Sequence, residues 1–114
     1  MKILIAGATG LIGTELSKQC IALGMTVHYL TTSEEKIKND ANYKGFLWNP
    51  KTGSIDKKAF HEVTTIVNLA GASVSKRWTP SYKKKIMQSR LQTAGLLYDT
   101  LTSIDHNVTH YISA

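Results

Sequence analysis

One cysteine, two prolines and no apolar run longer than a few residues set the first limits on this 114-residue chain. A lone thiol, Cys20, has no partner for an internal disulfide and cannot build a multi-thiolate zinc site, which excludes disulfide-stapled secreted domains and zinc modules. The four histidines, His28, His61, His106 and His110, have no partnering cysteines, and His106 and His110 span a loop-to-strand junction, so no metal is expected. The opening run Met1-Lys2-Ile3-Leu4-Ile5-Ala6 is broken at Gly7, too short for a signal peptide or a membrane span; a cytoplasmic protein without a membrane partner is expected. Without a secretion signal, Asn107-Val108-Thr109 is a chance match to a glycosylation acceptor. Acid is scarce: 8 acidic against 14 basic residues give a net charge of +6, with no acid between Glu62 and Asp99. Lys76, Arg77, Lys83, Lys84, Lys85 and Arg90 fall in that stretch. Only Trp78 and Tyr82 interleave with them, so the run is taken as a solvated helix face, and no nucleic acid partner is expected.

What the chain has is alternation. Apolar runs alternate with segments of helical period, with no repeat, low-complexity tract or Ser/Pro-rich linker, the pattern of βαβ units in a single domain. Lys2–Ala6 is short, continuous and rich in Ile and Leu, as a central strand buried on both faces must be. Ile12, Leu16, Cys20 and Leu23 form one stripe of a helix that Gly24 closes, and Cys20 on that stripe reads as a small buried hydrophobe. Residues 26–30 form a second strand, and 34–39 a polar helical turn. Phe46-Leu47-Trp48 forms a third strand, followed by a turn at 49–53 and a short helix capped by Asp56 and running to His61. Residues 64–69 form a fourth strand. The longest helix takes Thr79 as N-cap and Pro80 as first residue, with Met87, Leu91, Ala94, Leu97 or Tyr98, and Leu101 on one face. Gly95 inside it marks a close packing or a weak point. Residues 108–113 form a fifth strand. The expected fold class is α/β, a Rossmann-type doubly wound parallel sheet of five strands in the order 3-2-1-4-5. Its bare last strand leaves an open edge and an apolar face, which predicts self-association or marginal stability.

The most informative segment is Gly7-Ala8-Thr9-Gly10-Leu11-Ile12-Gly13, which follows the buried strand directly and opens the first helix. In that context a glycine turn delivers main-chain N–H groups and the positive helix end to a pyrophosphate. Gly7 permits the tight turn, Gly10 lets phosphate approach without a Cβ in the way, and Gly13 lets the helix lie close to the strands; Thr9, Leu11 and Ile12 complete this cofactor-binding set. A reader for the adenosine ribose belongs at the end of the second strand, about 20 residues on. That position holds Thr31-Thr32-Ser33, with no acid between Thr26 and Ser33. Three hydroxyls and Lys36 favour a 2′-phosphate, hence NADP; NAD is the alternative if Glu34 or Glu35 reaches back.

These residues resemble the short-chain dehydrogenase/reductase superfamily, in its extended, epimerase-like branch. The matching pieces are residues 7–13, Asn68-Leu69-Ala70-Gly71 after the fourth strand, and Ser89 through Thr93 to Leu96-Leu97 on the long helix. Phe46-Leu47-Trp48-Asn49-Pro50, Asn68 through Ser73, Arg77-Trp78 and Ser89-Arg90 resemble an atypical group of NAD(P)-dependent epimerases of unassigned substrate. The resemblance covers the whole chain. It implies that Asn68, Leu69, Ala70 and Gly71 lie along the cofactor ribose, that Ser89 stands where many relatives place an asparagine, and that Lys76 or Arg77 meets dinucleotide phosphates or an anionic substrate. Members of the group commonly carry an arginine just after the second strand, where this chain has Thr32.

The resemblance also implies a catalytic Tyr-x-x-x-Lys pair, and none of Tyr29, Tyr43, Tyr82, Tyr98 and Tyr111 has a lysine four residues on. In relatives, a strand like Tyr111-Ile112-Ser113-Ala114 runs directly into the catalytic serine. The expectation is that residues 1–114 are the NAD(P)-binding amino-terminal half of a longer oxidoreductase or epimerase acting on an unidentified small molecule, with no catalytic residue of its own. The alternative is a non-enzymatic dinucleotide-binding module or redox sensor.

Overall fold

The computed structural model describes residues 1–8, 10–69 and 80–113, with backbone alone for 80–90. Strands β1 (Lys2–Ala6), β2 (Thr26–Thr31) and β5 (Thr65–Asn68) are buried along almost their whole length, which is why they read as runs dominated by apolar and β-branched residues. Around them lie helix α1 (Leu11–Ala22), β3 (Tyr43–Asn49), β4 (Ser54–Ile55), helix α2 (Pro80–Ser103) and β6 (His110–Ser113). The sheet order is β4-β3-β2-β1-β5-β6. This corrects the expected five-strand sheet: a sixth strand, the two-residue β4, pairs antiparallel with β3 through Trp48 and Asn49 and forms one edge. The other pairings between these strands are parallel. The turn at 49–53 is therefore a hairpin, held by Gly53 N–H donating to the Asn49 carbonyl at 2.9 Å, with Gly53 at φ +77°.

Alternate residues of each strand face opposite layers. Ile3, Ile5, Val27, Tyr29 and Val67 pack with Ala8 and Cys20 on one side, and Leu4, Ala6, Leu30, Trp48 and Ile66 pack with Phe60, Val63 and Leu97 on the other. Burial of each such large apolar side chain contributes about 1.5–3 kcal/mol. Asp56 caps a 3-10 turn (Lys57–Phe60) by accepting from Lys58 N–H at 3.0 Å, and this turn shields the second layer.

The expected helical stripes hold in part: Cys20 and Leu97 are buried and Leu16 and Leu101 pack against the core, but other large apolar residues of each stripe face outward. On α1 the buried residues are Gly13, Ser17 and Cys20, while Leu11, Ile12 and Leu23 are exposed. The helix lies so close to the strands that its inner face admits small side chains, and Leu16 and Ile21 pack at the flanks. It ends in a Schellman pair, Gly24 N–H to the Ile21 carbonyl and Met25 N–H to that of Cys20, both at 3.0 Å. Among the described side chains of α2 the buried ones are Thr93, Leu97 and Thr100, with Leu91 and Tyr98 exposed. Gly95 has no described atom within 4 Å of where a Cβ would stand, so among the described residues it is a weak point rather than a close packing. The Thr79 cap and the cations Lys76 and Arg77 lie outside the described residues, as do the side chains of Met87 and Arg90. No helix among the described residues is long and apolar enough to cross a membrane.

His28 is 4% exposed and donates Nδ1–H to the Ala59 carbonyl at 2.9 Å. Burial holds its pKa below the ordinary 6.5. Because the folded value is lowered, the unfolded chain binds more protons just below pH 6.5, so this group's contribution is complete above that pH and declines as pH falls toward the folded pKa. Urea unfolding at pH 7.5 and 5.5 is expected to show the loss, and His28→Gln to flatten it. All four residues of β6 are exposed, Ile112 at 55%, on an edge with no further strand among the described residues. Sedimentation of the 114-residue chain is expected to show concentration-dependent self-association; an ideal monomer at all concentrations contradicts it.

Candidate functional site

The parallel strands β1, β2 and β5 end level at one edge. Ala6 is in register with Leu30 on one side and Asn68 on the other, and Leu69 N–H donates to the Ala6 carbonyl at 2.8 Å. The order reverses between β1 and β5, so the crevice beyond their carboxyl ends is a topological switch point, where open α/β sheets bind ligands.

The turn leaving β1 is built around two glycines. Gly7 has φ +87°, a left-handed conformation that side-chain-bearing residues rarely take. At Gly13 a Cβ would stand 2.3 Å from the Gly7 carbonyl oxygen and 2.6 Å from Ala8 Cα, so the first turn of α1 rests on the backbone of the bend. Hydroxyls fasten it: Thr14 Oγ1 donates to the Ala8 carbonyl at 3.2 Å and Ser17 Oγ to that of Gly13 at 2.7 Å. Gly10 is the N-cap in extended conformation, supplies no side-chain cap, and is followed by no acid in the first turn. A Cβ on Gly10 would meet the Gly7 carbonyl oxygen at an ordinary 3.5 Å, so the described residues leave room there. The exposed amide end of a twelve-residue helix, uncapped and free of nearby carboxylate, fits a phosphate group.

At the end of β2, Thr31 is buried and its Oγ1 accepts Ser33 N–H at 3.2 Å, which turns the chain; Thr32 is exposed and Ser33 half-buried. Tyr29 holds the following segment, donating to the Lys36 carbonyl at 2.6 Å and accepting from Lys38 N–H at 2.8 Å. Lys36, Glu34 and Glu35 are exposed beside the hydroxyls. Asn68 is buried and donates Nδ2–H to the Tyr111 hydroxyl at 3.0 Å.

The structure thus gathers Gly7, Gly10, Leu11, Ile12, Gly13, Thr31, Thr32, Ser33, Asn68 and Leu69 along one edge. Thr9, Ala70 and Gly71 lie outside the described residues, and of Ser89 the backbone alone is described. Sequence reading missed Thr14, Ser17, Tyr29 and Tyr111. The recurrence of Gly13, Ser17 and Cys20 at spacings of four and three could have flagged the first two; Tyr111 reaches Asn68 from a position in register with Ile66, which nothing local announces.

Gly13→Ala is expected to lose about 2–3 kcal/mol of stability by urea denaturation, since its Cβ meets backbone that cannot step aside.

Residues 3–114 match the NAD dependent epimerase/dehydratase family. An epimerase family protein of Staphylococcus haemolyticus is 35% identical over 103 residues, which make up 90% of this chain and 33% of the relative. Among solved structures, UDP-glucose 4-epimerase from Bifidobacterium longum in complex with NAD+ and UDP superposes with a TM-score of 0.77 at 15% identity, covering 100% of this chain and 36% of that one. A human epimerase family protein crystallised with NADPH gives 0.66 at 24% identity, covering 99% and 36%. At these identities the two structures speak to the fold. The sequence match is what decides membership: this chain, spanning about a third of the length of its curated relatives, belongs to the NAD-dependent epimerase/dehydratase family.

Proposed function

We propose that residues 1–114 are the cofactor-binding amino-terminal part of a longer, cytoplasmic NADP-dependent oxidoreductase or epimerase whose substrate is a small molecule. The observation that carries this reading is the uncapped glycine turn at the switch point, with Gly13 pressed on the bend and Gly10 leaving space outside it. The NADPH and NAD+ complexes of the structural relatives support a nicotinamide dinucleotide, and the chain's one-third share of its curated relatives supports a longer protein.

In this reading the amides of residues 7–13 hold the pyrophosphate, and Gly13 fixes their direction. Thr32 and Ser33, aided by Lys36, take the 2′-phosphate, with Thr31 shaping the turn that presents them. Asn68, Leu69, Ala70 and Gly71 run beside the ribose of the nicotinamide half, with Ser89 near them, and Tyr111 holds Asn68 in place. The bound dinucleotide supplies hydride transfer. The proton donor is assigned to protein outside this chain, whose tyrosines lack the lysine partner. Neither nucleic acid nor membrane enters this function.

Titration of NADPH and NADH against tryptophan fluorescence tests it. NADPH is expected to bind more tightly than NADH. Gly10→Ala is expected to weaken both about tenfold or more while changing stability by less than about 1 kcal/mol. Lys36→Glu is expected to weaken NADPH selectively. Failure of either dinucleotide to perturb the protein at about millimolar concentration, a free energy of roughly −4 kcal/mol, defeats the reading. Binding without turnover in the full-length protein would favour a redox sensor.

A further inference from the structure

The opposite edge of the sheet, where the parallel strands begin, has a chemistry of its own. A cleft of about 750 Å³ opens there, within the range of small-molecule sites. Lys2 begins β1 and lines this cleft, whereas Ala6 ends at the glycine turn, roughly 13 Å away along the strand. The two sites therefore lie at opposite ends of one element and share no residue.

Two observations in the cleft point to a ligand. The first is the imidazole of His28. Its Nδ1 faces a carbonyl oxygen, which can only accept, so Nδ1 carries the hydrogen and Nε2 of the neutral ring is an acceptor. Nε2 has no partner among the described residues, yet none of their fully buried side-chain nitrogens or oxygens is left unpaired, so Nε2 is reached from the cleft. A side chain 4% exposed and tilted against Phe46 at 4.8 Å thus presents one polar atom outward. The second observation is charge. Lys44 from β3 and Lys57 and Lys58 from the 3-10 turn border the cleft and form no ion pair among the described residues. Glu62 is already engaged, 3.7 Å from Lys2 and 3.0 Å from His61, and it adopts φ +60°, a conformation costly to a residue with a side chain. The connection from α2 to β6 adds Asp105 and His106, one charge of the opposite sign and one titratable ring.

We infer that this cleft binds a phosphate monoester, with the phosphoryl group between His28 Nε2 and the ammonium groups of Lys44, Lys57 and Lys58. Phosphate is favoured over carboxylate by proton chemistry. A phosphate monoester titrates near pH 6, so near neutrality it still brings an O–H that a neutral Nε2 accepts. A carboxylate, ionised from about pH 4 upward, brings none. The three lysines, which form no ion pair among the described residues, more than offset the two negative charges left on the phosphoryl group once its proton has passed to the ring. This site is independent of the dinucleotide reading above.

The test uses inorganic phosphate as probe, at constant ionic strength, followed through the ring resonances of His28. Phosphate is expected to shift them saturably and to raise the ring's apparent pKa, and sulfate, which has no proton to share at this pH, to act about tenfold more weakly. Lys57 and Lys58 are exposed, so the double variant Lys57→Ala/Lys58→Ala folds as the parent does, and it is expected to weaken phosphate about tenfold. Gly10→Ala is expected to leave the response unchanged. Equal effects of sulfate and phosphate, an unmoved His28, or a double variant that binds as the parent does would each overturn the assignment, as would loss of the response in Gly10→Ala.

Discussion

The first turn of α1 rests on the carbonyl of Gly7 and the backbone of Ala8, and the rest of the site follows from that contact. With no Cβ at residue 13, the helix axis is brought as near the sheet as two backbones allow. Its inner face then admits Gly13, Ser17 and Cys20 and nothing larger, and hydroxyls of Thr14 and Ser17 bond the helix to the bend and to its own preceding turn. The amides at the helix start are aimed by rigid packing rather than by a loop that must order itself, which spares a ligand the cost of that ordering. Burial also explains Cys20: the thiol lies in that close-packed layer, its pKa pushed up, and acts as a small apolar side chain.

A parallel sheet makes its two edges chemically unlike, because all strands begin at one and end at the other. The carboxyl edge here carries amides, hydroxyls and the buried amide of Asn68, with no acid in the first helical turn. The amino edge collects lysines from β1, β3 and the 3-10 turn around a buried imidazole. The chain's net charge of +6 is thus expressed partly as a local field at the end remote from the glycine turn.

Much of this was legible in the sequence, where local chemistry decides the outcome. The glycine spacing, the buried run of Lys2–Ala6, the Asp56 cap, the hydroxyls closing β2 and the Gly24 helix stop are each governed by a few adjacent residues. What was not legible depends on distance in the fold. The helical stripes were read from large apolar residues, yet Ile12, Leu23, Leu91 and Tyr98 are exposed, because the closeness of α1 and the threonine-lined face of α2 are properties of helix–sheet contact. β4 escaped notice because two residues carry no periodicity, and its existence rests on the turn before it. Tyr29 and Tyr111 were likewise hidden: each reaches across to backbone or an amide that lies far away in sequence or beyond the next turn.

The clash distances at Gly13 also bear on how such a chain can change over generations. Any larger residue there requires Gly7 and Ala8 to move, and those are the atoms that define the bend. Single-step drift at this position is costly, and a neighbouring side chain offsets little of the cost, since the obstacle is main chain. Substitution meets less resistance on the exposed outer face of α1, where Leu11 and Ile12 face solvent, than at the bend itself.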